Sequence, residues 1–324
     1  MARLVDMTCP RCGVTMVSEE YEPDEDGKAP DAESFSTCLR RCESCGVGYS
    51  NAAKSSPTRI CRDPFSELAP FVSQGVAEVL AQSLNSGSRE KKRIRFGFST
   101  SEDHVTWTVF RYLQLVNGLA RAVSALDLLH HGHAEREPAL FLWGSEVPAG
   151  IPNGSNVRRR LEQIEDDIGE NPGYRSEPDV ILDLPGTGLV FIEVKVKERS
   201  NSRKSPGCSK WDKYVHDTEA FAGPDDVRQT GLYELARNWR LAWELAGERP
   251  FTLVNLAQDV VFGGANRRSL DAFSAAIALS ERRRFVEITW RRFVRDALPD
   301  APEWLSQYLV ERVPKLGRAN LNHG

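Results

Sequence analysis

The sequence has no apolar run approaching the roughly 18–20 residues that cross a bilayer. Met1–Pro10 carries neither the basic n-region nor the apolar h-region of a secretory signal. A cytoplasmic protein without a membrane span is therefore expected. Positive charge is not in excess either: 46 Asp and Glu stand against 42 Lys and Arg, a formal charge of −4. A uniformly basic surface that coats nucleic acid is excluded, so any basic footprint must be local. Cysteines in even, spread-out pairs are also missing. The seven are odd in number, six fall between Cys9 and Cys61, and Cys208 stands far away. That is a poor match to a disulfide framework. What is present is ordinary globular composition, 40% hydrophobic and 27% charged, which excludes wholesale disorder and collagen-like repeats. At 324 residues the chain is about twice a typical domain of roughly 150 residues, so one large domain and one small one are expected.

The clustered cysteines repeat one local pattern, Cys9-Pro-Arg-Cys12-Gly13 and Cys42-Glu-Ser-Cys45-Gly46. Each copy puts two thiolates two residues apart. The glycine that follows lets the backbone turn tightly while its N–H groups approach the sulfurs. Two such knuckles supply the four sulfurs of tetrahedral zinc, with Cys9, Cys12, Cys42 and Cys45 as the ligands. Cys38 lies four residues before Cys42, also an acceptable ligand spacing, and no histidine precedes His104. Four protein ligands close the coordination sphere, so this zinc would be structural and would help fold a segment too small for its own core. The acidic stretch from Glu19 to Glu33 between the knuckles reads as an exposed loop. Residues 1–63 are expected to form this zinc-ribbon module, and residues 64–97 a helical and basic linker. In the linker, Phe71 to Leu84 carries Val72, Val76, Val79, Leu80 and Leu84 at helical spacing, and Arg89, Lys91, Lys92, Arg93 and Arg95 form a basic run.

Chemistry is concentrated further along. Arg175 to Leu184 reads as a strand, Pro185-Gly-Thr-Gly188 as a turn and Leu189 to Lys195 as a second strand, a β-hairpin. Side chains alternate along a strand, so Glu193 and Lys195 share a face. Pairing Leu184 with Leu189 puts Asp179 opposite Val194, within one residue of Glu193. Two carboxylates held together repel unless a cation neutralises them, and hard oxygen ligands suit Mg²⁺ or Mn²⁺. Such an ion acidifies a bound water and neutralises phosphate charge, while the lysine orients the water or stabilises the transition state. Phosphodiester hydrolysis is the reaction expected. The bare [DE]-x-K tripeptide is not selective, because Asp26-Gly-Lys28 and Glu90-Lys-Lys92 also match it. Only Glu193-Val-Lys195 ends a buried-type strand after Pro-Asp and a tight turn.

Pro178-Asp179, thirteen residues, then Glu193-Val-Lys195 resembles the signature of the PD-(D/E)XK nuclease superfamily, the restriction-endonuclease-like fold. The resemblance covers about Ser99 to Leu256. It implies an α/β (α+β) core in the order αβββαβ, a mixed central sheet flanked by helices, within residues 98–324. Candidate elements stand in that order. A helix begins near Ser101 with Val105, Val109, Phe110, Leu113 and Val116 as its apolar stripe. Leu140–Trp143 gives a first strand, the hairpin two more, Gln229 to Ala246 a helix and Phe251 to Leu256 a strand. The resemblance implies that Asp179 and Glu193 hold Mg²⁺ (or Mn²⁺) with the Val194 carbonyl, that Lys195 acts on the water, and that Glu102 assists metal binding. Ser99-x-x-Glu102 satisfies the capping-box pattern as well. Gln229 would project toward the site from the second core helix.

From Lys195 to Lys213, seven bases face two acids. Such a loop suits a phosphate backbone, with Lys197, Arg199, Arg203, Lys204 and Lys210 as contact candidates. His130, His131 and His133 follow leucines and read as a helix end. The C-terminal part holds Phe285 to Trp290 as a strand and then helices to about Val313. The resemblance implies an endonuclease acting on double-stranded DNA in restriction, antiphage defence or mobile-element processing. It allows a homodimer, which a palindromic target would need, and an activating protein partner. RNA cleavage, and a binding or interaction module that keeps the fold without turnover, are the alternative functions.

Overall fold

The computed structural model describes residues 1–54, 56–126, 137–149, 156–184 and 186–316. The histidine cluster at 130–133 lies outside the described residues. No helix among the described residues is long and apolar enough to cross a membrane. The chain divides into two compact units, Met1–Gln74 with Ser88–His104, and Gly75–Gly87 with Val105–Gly324. Residues 64–97, expected as a linker, are thus shared between the two. The apolar residues of that segment are the reason: Val72, Val76, Val79, Leu80, Leu84 and Phe96 are all buried, and burying them draws the segment into cores.

The first unit contains two small antiparallel sheets. Strands β1 (Met7–Thr8) and β2 (Thr15–Met16) pair with Met7 opposite Met16. Strands β3 (Arg40–Cys42), β4 (Val47–Tyr49) and β5 (Arg59–Cys61) form a three-stranded meander. Little apolar surface is available here, and buried polar side chains stitch the backbone instead. Arg40, 2% exposed, donates to the carbonyls of Val5, Ser50 and Ala52. Asn51 accepts from the Leu39 amide and donates to the carbonyls of Pro30 and Thr37. The unit also holds helices α1 (Pro70–Ser73) and α3 (Arg89–Phe96). The basic run is therefore a helix, with Arg93 bonded to Glu90 and Lys92 3.5 Å from Asp103. The expected Phe71–Leu84 helix is interrupted at Gly75, which adopts φ +87° and precedes α2 (Val76–Ala81) of the second unit.

The second unit is a mixed α/β fold around a six-stranded sheet. Its strands are β6 (Ala139–Leu142), β7 (Ser145–Glu146), β8 (Val180–Leu184), β9 (Gly188–Val194), β10 (Phe251–Ala257) and β11 (Arg283–Thr289). They lie in the order β11-β10-β9-β8-β6-β7. β9–β10 and β10–β11 are parallel, and the other pairs are antiparallel. Every residue of β8, β9 and β10 is buried, which is why these strands are mostly apolar, with Asp183, Glu193, Thr252 and Asn255 as their buried polar exceptions. Helices α4 (Glu102–Leu115, its first three residues in the first unit), α5 (Leu119–Ala125), α6 (Val157–Asp167), α7 (Asp212–Val215), α8 (Pro224–Thr230), α9 (Tyr233–Ala246), α10 (Gly264–Ala276), α11 (Trp290–Ala297) and α12 (Glu303–Arg312) complete the chain. The anticipated succession of helix, three strands, helix and strand is present as α4, β6, β8, β9, α9 and β10. The C-terminal region adds the parallel edge strand β11.

The hairpin register differs by one residue from the sequence expectation. Leu184 pairs with Gly188 and Val180 with Ile192, so one further step puts Asp179 opposite Glu193 itself. The turn closes one residue earlier than foreseen, through a bond from the Thr187 amide to the Leu184 carbonyl. The expected helix from Gln229 to Ala246 is also two helices. The chain breaks at Gly231, φ +71°, where the Thr230 hydroxyl accepts from the Leu232 amide.

Candidate functional site

Four sulfurs come together in the first unit. The Cys9-to-Gly13 turn lies between β1 and β2, and the Cys42-to-Gly46 turn between β3 and β4. In each the glycine amide donates to the first cysteine's carbonyl, at 2.9 Å. Gly13 and Gly46 adopt φ +75° and +64°, the left-handed conformation that glycine tolerates without strain. Ligand atoms of Cys9, Cys12, Cys42 and Cys45 all lie within 4.8 Å of one another, and Cys12 Sγ is 3.7 Å from Cys42 Sγ. Tetrahedral zinc with bonds of about 2.3 Å spaces its sulfurs by about 3.8 Å. The cluster therefore fits a zinc ribbon with the four cysteines expected. Cys38 takes no part: it is fully buried against Phe35 and Ile60. Burial pushes its thiol up to about 11, as for a small apolar residue rather than a thiolate ligand.

The second cluster is built on β9. Glu193 is 2% exposed and Lys195 7% exposed, and Lys195 Nζ lies 2.7 Å from Glu193 Oε1. The same ammonium lies 2.9 Å from Glu234 Oε2 on α9. One turn further along α9, Asn238 Nδ2 donates to Glu193 Oε2 at 2.7 Å. Asp179 enters from the start of β8, and its Oδ2 accepts the Val194 amide at 2.8 Å. The expected convergence of Asp179, Glu193 and Lys195 is present in the geometry. Behind them the Trp290 indole donates to the Lys195 carbonyl at 3.1 Å.

Electrostatics separates the two glutamates. Burial, together with the nearby charges of Asp179 and Glu234, pushes the Glu193 carboxyl up to about 8 despite Lys195. Burial acts on Glu234 in the same sense, but Lys195 and Arg237 outweigh it and hold that carboxyl down at about 2. One lysine thus serves two carboxylates, and the buried one retains a call for further positive charge.

These groups line a cleft of about 590 Å³. Arg203, Lys204 and Lys210 line it as expected, and Lys213 joins them. Lys197 and Arg199 are not among its lining residues. The loop that carries these bases is anchored, because Asn201 and Asn255 exchange side-chain amide bonds of 3.0 Å, both buried. Gln229 requires a correction. It sits on α8 and lines a different depression with Arg268 and Ser269, because the Gly231 break separates α8 from α9. The helix groups that do reach Glu193 and Lys195 are Glu234 and Asn238, which the sequence reading missed. Their signal was polar residues at i, i+3 and i+4 (Glu234, Arg237, Asn238) on an otherwise apolar helix. Glu102 opens α4 and is half-buried. The N-cap there is Ser101, whose hydroxyl accepts from the His104 amide, whereas the Ser99 hydroxyl accepts from Arg59.

Comparison with protein-family models, curated proteins and solved structures finds no match to the chain.

Proposed function

We propose that the chain is a divalent-metal-dependent endonuclease of the PD-(D/E)XK type, hydrolysing phosphodiester bonds of DNA, with a zinc-loaded N-terminal ribbon. The observation that carries this reading is the convergence of Asp179, Glu193 and Lys195 at the floor of a cleft lined by cationic side chains. The succession α4, β6, β8, β9, α9, β10 supports it, being the order this superfamily implies. Asp179 and Glu193, with the Val194 carbonyl, would hold Mg²⁺ or Mn²⁺. The residues fit such an ion because Glu193 is a buried carboxyl kept from ionising by burial and by neighbouring negative charge. When bound, the metal supplies an acidified water and neutralises phosphate charge. Lys195 positions the water, Asn238 fixes the rotamer of Glu193, and Glu234 holds Lys195 charged and in place. A cytoplasmic setting belongs to the same proposal.

Purified protein incubated with supercoiled plasmid, linear duplex, single-stranded DNA and RNA, with Mg²⁺ or Mn²⁺ and with chelator, tests it. Cleavage is expected with metal and not with chelator. Asp179→Ala is expected to abolish it, and Lys195→Ala to lower it by about 100- to 1,000-fold, both at unchanged zinc content. Full activity of Lys195→Ala would remove the assignment. Folded, zinc-loaded protein that binds nucleic acid and never cleaves it would mark a binding module.

A further inference from the structure

One wall of the cleft carries an aromatic ring that catalysis does not need. Tyr174 is 65% exposed yet held in place. Its amide donates to the Asn171 carbonyl at 2.9 Å, and Asn171 Oδ1 accepts from Gly173 at 2.8 Å. The ring lies so close to Gly87 that a Cβ there would meet Tyr174 Cε1 at 2.6 Å. The Gly87 amide in turn donates to the Gly173 carbonyl. A large ring facing solvent forgoes its burial energy, which a flat ligand would restore.

Charge in the cleft is divided unevenly. Its acids are engaged internally: Glu193 and Glu234 on Lys195, Glu170 on Tyr214 and Lys213, and Glu177 on the Asn85 amide. Lys195, Lys213 and Arg175 are ion-paired in turn, but three other cations of the lining are not. Arg203 donates to neutral partners, the Thr230 carbonyl, Asn266 and Ser269, and Lys204 lies 4.8 Å over the Tyr233 ring. Lys210 is exposed. Among the described residues, none of these three forms an ion pair.

We propose that the cleft takes an unpaired nucleotide of a single strand, its base stacked on Tyr174 and the flanking phosphates on Arg203, Lys204 and Lys210. This inference rests on the reading of the site as one for nucleic acid and names the substrate class. A duplex keeps its base faces inside its own stack and offers Tyr174 none. An exposed aromatic and cations without ion-pair partners lining one cleft are the combination that single strands use. The cleft volume of about 590 Å³ is that of a pocket for a small flat ligand, in the range of about 300–1,000 Å³.

The test is fluorescence anisotropy with labelled oligo(dT), oligo(U) and a hairpin duplex, all in chelator so that nothing is cut. A single strand is expected to bind more tightly than the duplex. Tyr174→Ala should weaken single-strand binding by about 5- to 150-fold and leave duplex binding unchanged, while Tyr174→Phe retains affinity. Arg203→Ala, Lys204→Ala and Lys210→Ala should each lower the slope of log affinity against log salt by about 0.7. No loss in Tyr174→Ala, or equal loss on both ligands, overturns the inference. Duplex that is bound better and cleaved leaves the nuclease standing and this inference fallen. Tyr174-dependent single-strand binding without cleavage under any metal does the reverse, and binding of no nucleic acid at all removes both.

Discussion

The four-cysteine cluster and the Glu193 cluster gather titratable side chains by opposite routes. Each cysteine pair is placed by its own five-residue turn, closed by a glycine amide and a left-handed backbone. Only the meeting of the two turns requires the fold. Around Glu193 the groups come from a hairpin and from α9, with 45 residues separating Glu193 from Asn238. They are held by opposite charge and burial rather than by local backbone shape. A site made of local turns depends on its ion for rigidity, whereas one made of packed elements is shaped before any ion arrives.

Removing a cysteine ligand should have the largest effect. Cys9→Ser is expected to lose the zinc and the amide-exchange protection of β3–β5, because structural zinc contributes on the order of 10 kcal/mol to such modules. Metal analysis with hydrogen exchange checks it, and Cys38→Ser should keep both. Zinc lost from Cys38→Ser and kept in Cys9→Ser would redraw the ligand set. Asn238→Ala sharpens the other side of the comparison. It leaves Glu193 Oε2 without its donor, at a cost of about 1–3 kcal/mol in denaturant unfolding with chelator, and zinc content should not change.

A third contrast is in pH. Folded Glu193 keeps its proton up to about 8, against an ordinary value of 4.5, so between these values the folded chain binds more protons than the unfolded one. Its contribution to stability is complete below about 4.5 and is lost as pH rises to about 8. In chelator, Glu193→Gln should flatten part of that decline. Glu165, also pushed up to about 8 by burial, keeps the remainder, and an unchanged slope in Glu193→Gln would count against the assignment. The smallest effect is expected from Gln229→Ala, within about twofold of wild-type cleavage, because the side chain lines a different depression.

What the sequence disclosed follows the same division. The cysteine cluster was readable because spacing and glycine encode a local turn. Asp179, Glu193 and Lys195 were readable because a hairpin fixes which residues face one another, although the register was displaced by one where the turn closes at Leu184 and Thr187. Glu234 and Asn238 were not readable, because the docking angle of α9 is set by packing of Leu235, Ala236, Trp239 and Ala242 into the core. Gln229 misled because nothing in its own neighbourhood except Thr230-Gly231 announces the break. The basic run at Arg89–Arg95 looked like a tether, and the burial of Phe96 against Phe65 made it a helix of the first unit.

The bond from the Trp290 indole to the Lys195 carbonyl has a consequence for synthesis. A chain emerging from the ribosome presents Lys195 ninety-five residues before the indole that latches its backbone, and before the parallel strand β11 that borders β10. Folding follows the order of emergence, so the Lys195 amide can meet its acceptor, the Leu256 carbonyl, before the Lys195 carbonyl meets the indole. A truncated or stalled product ending before Trp290 would carry every acidic and basic group that lines the cleft and still lack the donor to the Lys195 carbonyl.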